Sequence, residues 1–371
     1  MVGSESGVRA AGSMPGSQIA PGIHAVRGGR AAGRRLRRLP GVRWVEPNRR
    51  FRTSGTVASS DPLRGRQWAL ASSRVPAAWA FTIGGDVPVA VLDSGIDASH
   101  PDIRDNLWTN HAEVAGNGLD DDRNGYVDDV HGVDVVNGDG DPADGLGHGT
   151  SVAGIIGARG DNGIGISGVA WRVRLMPVKV LADNGWGTTV SVIEGLRYSL
   201  AGGARVINMS INGARPSQAL EEAIRDAEGQ GALVVTSAGN DGTDRDRVAS
   251  YPASIQSPAV LTVASTKRGG GLAYASAYGR TEVDIAAPGE DVLTSDQGGR
   301  YVSRSGTSYA AAYVSGAAAL LAAARPDASG AQLRRALVAS ARRGGRVDSR
   351  ISGGQLDASA ALRRVLTGTK R

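Results

Sequence analysis

The sequence predicts an α/β fold: a three-layer, mostly parallel sheet with helices on both faces, joined to a small partial α+β segment at the N-terminus. Two observations predict it. From Trp68 onward, short β-branched runs alternate with helix-length apolar patterns, as a parallel sheet with crossover helices requires. The composition agrees, because 54 glycines and only 4% aromatic residues suit an Ala/Val/Gly-rich layered interior better than an aromatic-rich barrel. At 371 residues, the chain has room for one domain of about 250–300 residues and a smaller appendage.

In chain order, residues 1–22 are rich in Gly, Ser and Pro and are expected to be disordered. Residues 23–53 form a small segment with an Arg-rich helix over 31–39, stopped by Pro40-Gly41, and a strand over 42–45. Residues 54–60 read as an exposed linker open to proteolysis. Residues 61–371 form the main domain. Its strands are expected at 87–92, 174–181, 204–209, 232–237 and 260–264, with helices at 151–157, 189–201, 217–229 and 307–324.

Charge and composition exclude several functions. The net charge is +6, but 11 Arg against 2 acids fall in residues 1–59, and 10 Lys/Arg against 2 acids fall in residues 331–371. Residues 60–330 hold 21 basic and 32 acidic side chains, a net charge of −11. Nothing there resembles the basic face of a nucleic-acid-binding domain, so no nucleic-acid partner is expected. With no cysteine, disulfides, thiolate metal sites and a cysteine nucleophile are all excluded. The N-terminal residues lack the apolar segment of a signal peptide, and no run of 18 apolar residues is present to span a membrane. Gly163-Ile164-Gly165-Ile166-Ser167-Gly168 fits a nucleotide-binding pattern by letter only, since it follows a helix rather than a strand.

Four polar residues sit where chemistry is expected. Asp93 ends the apolar run Val89-Ala90-Val91-Leu92, which places a carboxylate at the carboxyl end of a strand, where α/β sheets build their sites. His148 lies between two glycines and opens a small-residue helix. Ser308 follows Gly306-Thr307 and starts the long Ala-rich helix, so its N–H and the helix dipole can face a developing oxyanion. Asn240 ends the run Thr236-Ser237-Ala238-Gly239 and offers a side-chain amide. Taken singly, each is also explained as a turn, a cap or a surface residue. Together, in the order Asp, His, Ser, they form an acid, a base and a nucleophile.

With those motifs the chain resembles the subtilisin-like serine proteases, the subtilase family, from about Asp61 to Leu366. The resemblance implies a subtilisin-like fold and a serine endopeptidase of the EC 3.4.21 class. Asp93 would orient His148, His148 would act as general base and then acid, and Ser308 would be the nucleophile. Asn240 and the Ser308 N–H would form the oxyanion hole. Ser210, Ile211, Asn212 and Gly213 match one peptide-binding edge, and Gly185, Trp186 and Gly187 match the other, so an extended substrate would pair as an added strand. Three residues depart from the family pattern: Asn212 stands for Gly at the wall of the primary specificity pocket, Tyr309 for Met and Ala312 for Pro.

The stretch from Asn117 to Asp129 places oxygen ligands at alternate positions with a glycine at the bend, which suits a hard cation. It starts like an EF-hand loop, but His131 stands at the twelfth position instead of Glu. Calcium-binding subtilases carry similar insertions. By that resemblance Asp120, Asp122, Asn124, the Tyr126 carbonyl and Asp129 would hold structural calcium (Ca2+). Residues 39–48 resemble the end of the family's inhibitory propeptide, and residues 61–70 resemble the start of the mature enzyme. A self-cleaving zymogen cut within residues 52–60 is therefore expected, although the propeptide is short and lacks a recognisable first half. Expected partners are a peptide or protein substrate and the chain's own propeptide, with the chain a monomer. Secretion follows from the resemblance alone. The rival reading is a subtilase-fold protein that grips peptides and turns them over poorly.

Overall fold

The structure is a computed structural model that describes residues 2–4, 16–20, 23–26, 30–46, 57–213, 215–344, 347 and 349–367. The chain divides into two compact units, Met1–Ser54 and Gly55–Arg371. In the first, β1 (Val2–Ser4), β2 (Gly16–Ala20), β3 (Ile23–Val26), α1 (Arg30–Leu36) and β4 (Val42–Val45) build an antiparallel sheet in the order β2-β3-β1-β4. Leu36 and Val45 form its small core, with Val26, Leu39 and Val42 packed on them. Two of these strands lie inside the stretch expected to be disordered. Cross-strand main-chain pairing orders them, and composition does not register that pairing. The rest of that stretch, residues 1, 5–15 and 21–22, lies outside the described residues, as do residues 54–56 of the linker.

The second unit carries α2 (Trp68–Ser72), α3 (Val75–Ala78), β5 (Gly84–Asp93), β6 (Val133–Asp134), α4 (His148–Gly157), β7 (Arg172–Lys179), α5 (Thr189–Ala201), β8 (Val206–Met209) and α6 (Gln218–Gly229). It continues through β9 (Leu233–Ser237), β10 (Val260–Thr266), β11 (Ile285–Pro288), β12 (Val292–Asp296), β13 (Arg300–Arg304), α7 (Thr307–Ala324), α8 (Gly330–Ser340) and α9 (Ala358–Thr367). Seven strands form a wholly parallel sheet in the order β11-β10-β9-β8-β5-β7-β6. The hairpin β12–β13 stands apart as an antiparallel pair. The expected three-layer α/β fold is present.

Alternation along the strands divides the core. Val89 and Val91 point into one cluster with Leu175, Val235, Val263 and the helices α4 and α7. Ala90 and Leu92 point into the other with Met176, Val178, Ile207, Met209, Val234 and the helices α5 and α6. Helix α7 lies in the first cluster, and every residue from Thr307 to Ala322 is buried. Among the described residues it is the one helix long and apolar enough to cross a membrane, although Thr, Ser, Tyr and Gly interrupt its apolar run; 89% of that window is buried within the fold.

The topology sets where a site can form. β5 is flanked by β7 on one side and β8 on the other, so the chain leaves its carboxyl end at the point where the strand order reverses. Asp93 is the last residue of β5.

Candidate active site

The Asp93 carboxylate is fully buried, and the Ser94 main-chain N–H donates to its Oδ1 at 2.8 Å. The same oxygen accepts from Nδ1 of His148 at 2.7 Å. A carboxylate can only accept, so the proton sits on Nδ1 and Nε2 is left as the acceptor. His148 is the first residue of α4. That helix end approaches β5 closely because residue 149 is glycine: a Cβ there would collide with the Gly95 carbonyl oxygen. A quarter of the His148 side chain stays exposed.

A second carboxylate holds this helix end, and the sequence reading missed it. Asp144 Oδ1 accepts from the Leu146 and Gly147 N–H groups at 3.0 and 2.8 Å, and Oδ2 accepts from the Thr150 N–H at 2.9 Å. The Ser94 and Thr150 hydroxyls also donate to it, at 2.8 and 2.6 Å. The signal was available, since an acid just before a helix satisfies its free N–H groups. Lys179 was also missed; buried at the end of β7, it donates to the Ser94 carbonyl at 2.9 Å and to Asp183 Oδ1 at 2.7 Å.

Burial pushes the His148 imidazolium pKa down. The charge of Asp93, its hydrogen bond and the charge of Asp144 outweigh burial and the repulsion of Arg304, so the pKa is raised above the ordinary imidazole value. The Tyr309 ring lies 5.6 Å from the imidazole, centroid to centroid. Burial pushes the Tyr309 hydroxyl up to about 12, with Arg304 opposing and Asp93 and Asp296 adding to the shift. Arg304 ends β13 and pairs with Asp296 at 3.1 Å.

Ser308 is the second residue of α7 and is 6% exposed. Its Oγ donates to the Ser210 carbonyl at 3.3 Å, and the Ser210 hydroxyl donates back to the Ser308 carbonyl at 3.1 Å. Among the described residues no hydrogen bond joins Ser308 Oγ to His148. Asn240 is exposed, and its Oδ1 accepts from the Thr307 N–H at 2.8 Å and the Thr307 hydroxyl at 3.0 Å. A main-chain N–H can only donate, so this pair fixes the amide with Nδ2 turned away from Thr307.

The expected substrate edges follow β8 and β7. Ser210 is buried, Ile211 is half-buried, and Asn212 and Gly213 are exposed. The turn at Gly185, Trp186 and Gly187 is closed by the Ala182 N–H donating to the Trp186 carbonyl at 2.9 Å. Gly185 has φ +81°, and Trp186 is 78% exposed.

In the acidic loop, one carboxylate oxygen each of Glu113, Asp120 and Asp122 lie within 4.8 Å of one another. Glu113 was not expected there. It is 8% exposed, its Oε1 accepts from the Asp121 and Asp122 N–H groups, and its buried Oε2 has no hydrogen-bond partner. A carboxylate grouped with two other acids and left with one orphaned, buried oxygen fits a hard cation, since burying that oxygen alone is costly. Asn124 donates to Asp122 and Asp129 and accepts from the Tyr126 N–H. Asp129 is fully buried and stands outside the cluster of three; Asn110, Asn124 and the Tyr198 hydroxyl donate to it.

Comparison with known proteins adds lineage to this geometry. The profile of the Subtilase family matches residues 84–355. The chain is 35% identical over 288 residues to the Thermophilic serine proteinase of Bacillus sp. (strain AK1), covering 77% of this chain and 65% of that protein. It is 33% identical to Thermitase of Thermoactinomyces vulgaris, covering 73% and 87%. It is 37% identical to the Major intracellular serine protease of Bacillus subtilis (strain 168), covering 67% and 72%. A solved protease from Pseudoalteromonas arctica PAMC 21717 superposes with a TM-score of 0.70 at 29% identity, over 83% of this chain and 99% of that one.

Proposed function

The chain belongs to the subtilase family of serine-type endopeptidases, and from that premise we propose that it hydrolyses peptide bonds through an acyl-enzyme on Ser308. The hydrogen bond of 2.7 Å between buried Asp93 and half-buried His148 carries this reading, because it presents a base of raised pKa beside the start of α7. In this reaction Ser308 Oγ leaves the Ser210 carbonyl and gives its hydrogen bond to His148 Nε2. It attacks the peptide carbonyl while His148 takes its proton. Asp93 stabilises the imidazolium without becoming protonated. The oxyanion lies between Asn240 Nδ2 and the Ser308 N–H, donors already oriented by Thr307 and by the first turn of α7. His148 then gives its proton to the leaving amine. Water attacks the acyl-enzyme with the same residue again as base, and Ser308 is restored.

The acidic loop is read as a calcium site held by Glu113, Asp120 and Asp122, with the Asn124 side-chain oxygen and the Tyr126 carbonyl beside them. Bound there, calcium would neutralise the carboxylates and cross-link the loop. Asp129, expected as a ligand, is read as support beneath the loop through Tyr198 and Asn124.

Self-processing belongs to the same reading. Ser59 and Asp61 are docked on the 161–167 loop: Asp61 accepts from the Asp161, Asn162 and Gly163 N–H groups and from the Ser167 hydroxyl. A cut between residues 52 and 58 leaves that anchor intact. The names of its relatives include an intracellular protease, so family membership assigns no compartment.

The test is the intact mass of protein purified in calcium buffer, with and without a fluorophosphonate, beside Ser308→Ala. A chain shortened by about 55 residues, carrying one adduct that the variant lacks, is the expected result. A full-length, unlabelled wild type favours the peptide-binding alternative, to which the Ser308–Ser210 hydrogen bond lends weight.

A further inference from the structure

β8 and β9 are neighbouring parallel strands, paired through Met209 and Thr236 at their carboxyl ends. Beyond that pair they part. Ser210 leads to Gly213 on one side, and Ser237 leads to Asn240 on the other. Ser308 Oγ touches the Ser210 carbonyl, and Asn240 is the side-chain oxyanion donor in the proposed reaction. A peptide carbonyl attacked there has its oxygen toward Asn240. The side chain on its acyl side, the P1 side chain, therefore enters the slot between the two diverging segments.

That slot is bridged. Asn212 Nδ2 donates to Ser237 Oγ at 3.2 Å, reaching from one wall to the other, and Ser237 is fully buried beneath it. Next to Asn212 in the chain, the Gly213 N–H donates to the Ser250 hydroxyl at 3.1 Å, and Ser250 is also buried. The lining groups are hydroxyls and an amide already paired with one another. A bulky apolar P1 side chain would have to break the Asn212–Ser237 bond and leave the Ser237 hydroxyl without its donor, a penalty that burial enlarges. Glycine at position 212, the usual family residue, would leave the passage open.

We propose that Asn212, braced by Ser237, narrows the primary specificity pocket and makes this protein selective for small P1 residues such as alanine. The inference rests on the serine endopeptidase reading of the same site and names its substrate class. The Gly213–Ser250 bond also holds the exposed Asn212, because it ties down the adjacent residue of the segment.

The experiment uses the full chain and two peptide substrates identical except for Ala or Phe at P1. The wild type is expected to cleave the Ala peptide at least tenfold better in kcat/KM. Asn212→Gly should raise kcat/KM for the Phe peptide relative to that for the Ala peptide by about tenfold or more, the range open to a pocket that gains side-chain volume. Ser237→Ala should move the ratio the same way by a smaller amount, because it frees the Asn212 amide without removing it. A wild type that favours Phe, or an Asn212→Gly ratio equal to wild type with both peptides cleaved, overturns the proposal and leaves the protease reading standing. A wild type that cleaves neither peptide and takes no fluorophosphonate overturns the protease reading and the proposal with it.

Discussion

At the scale of single residues, the base is tuned by charges from three directions. Asp93 at the end of β5 and Asp144 before α4 favour the imidazolium of His148, while Arg304 at the end of β13 opposes it. Tyr309 beside the ring is uncharged at working pH, because burial lifts its hydroxyl to about 12. Only neutral His148 can accept the Ser308 proton, so activity rises as the pH climbs through a raised imidazole pKa. The contribution of this pair to folding runs the other way: it is fully present below the unfolded imidazole pKa and is lost as pH rises through the folded one. Arg304→Gln removes the opposing charge and also leaves Asp296 less neutralised, and both effects raise the pKa of His148 further. The acid limb of the kcat/KM profile should therefore move to higher pH, with the plateau at alkaline pH kept within a factor of about three. An acid limb that stays in place or moves down contradicts the assignment of Arg304 as the opposing charge.

At the scale of elements, the site depends on how closely the first turn of α4 rests on β5. Gly149 faces the Gly95 carbonyl and the Asp93 side chain, so Gly149→Ala forces a methyl against main chain that cannot move aside. The expected cost is about 1–3 kcal/mol in stability from overpacking. Activity should fall far more than fluorophosphonate-independent folding measures do, because the same shift pulls His148 off Asp93. Thermal unfolding and kcat/KM on one preparation separate the two effects; an unchanged kcat/KM would show that the contact does not position His148. The strands that frame this site were legible because each is a continuous apolar run buried on both faces, as in Val89 to Leu92. The start of α4 was placed three residues late, at 151, because Gly147-His148-Gly149 reads locally as a turn; Asp144 turns it into a helix start from four residues away. The two-residue β6 and the hairpin β12–β13 carry too little periodicity to read, and with the hairpin went Asp296 and Arg304; α8 was missed although Leu333, Ala336 and Leu337 follow a helical spacing behind the Ser329 cap. Asp93, His148, Ser308 and Asn240 were legible because each sits in its own distinctive local sequence. Glu113 and Ser237 act through chain segments that meet only after folding, whereas Asp144 was open to reading as the acid that caps the start of α4.

At the scale of the whole molecule, a chain without disulfides must hold a long excursion between β5 and α4 by other means. The loop from Glu113 to Asp129 is built on carboxylates that accept main-chain N–H groups: Asp120 receives Asn124 and Gly125, Asp128 receives Gly116, Asn117 and Gly118, and Glu113 receives Asp121 and Asp122. These bonds shape the loop but concentrate negative charge, and Glu113 Oε2 is left buried and unpaired. A divalent cation answers both problems at once. Asp129 also ties the same loop to Tyr198 in the last turn of α5. Calcium at 100 times its dissociation constant stabilises the folded chain by about 2.7 kcal/mol if it binds only that state. Chelation of Ser308→Ala protein, which cannot digest itself, should therefore lower the unfolding midpoint by several degrees, and added calcium should restore it. Glu113→Gln keeps the shape of the side chain and removes its charge, so its midpoint should respond less to calcium than that of the parent. The cation site stands or falls on that difference: equal responses in the two proteins would mean that calcium binds elsewhere and that the buried Glu113 oxygen serves the loop alone.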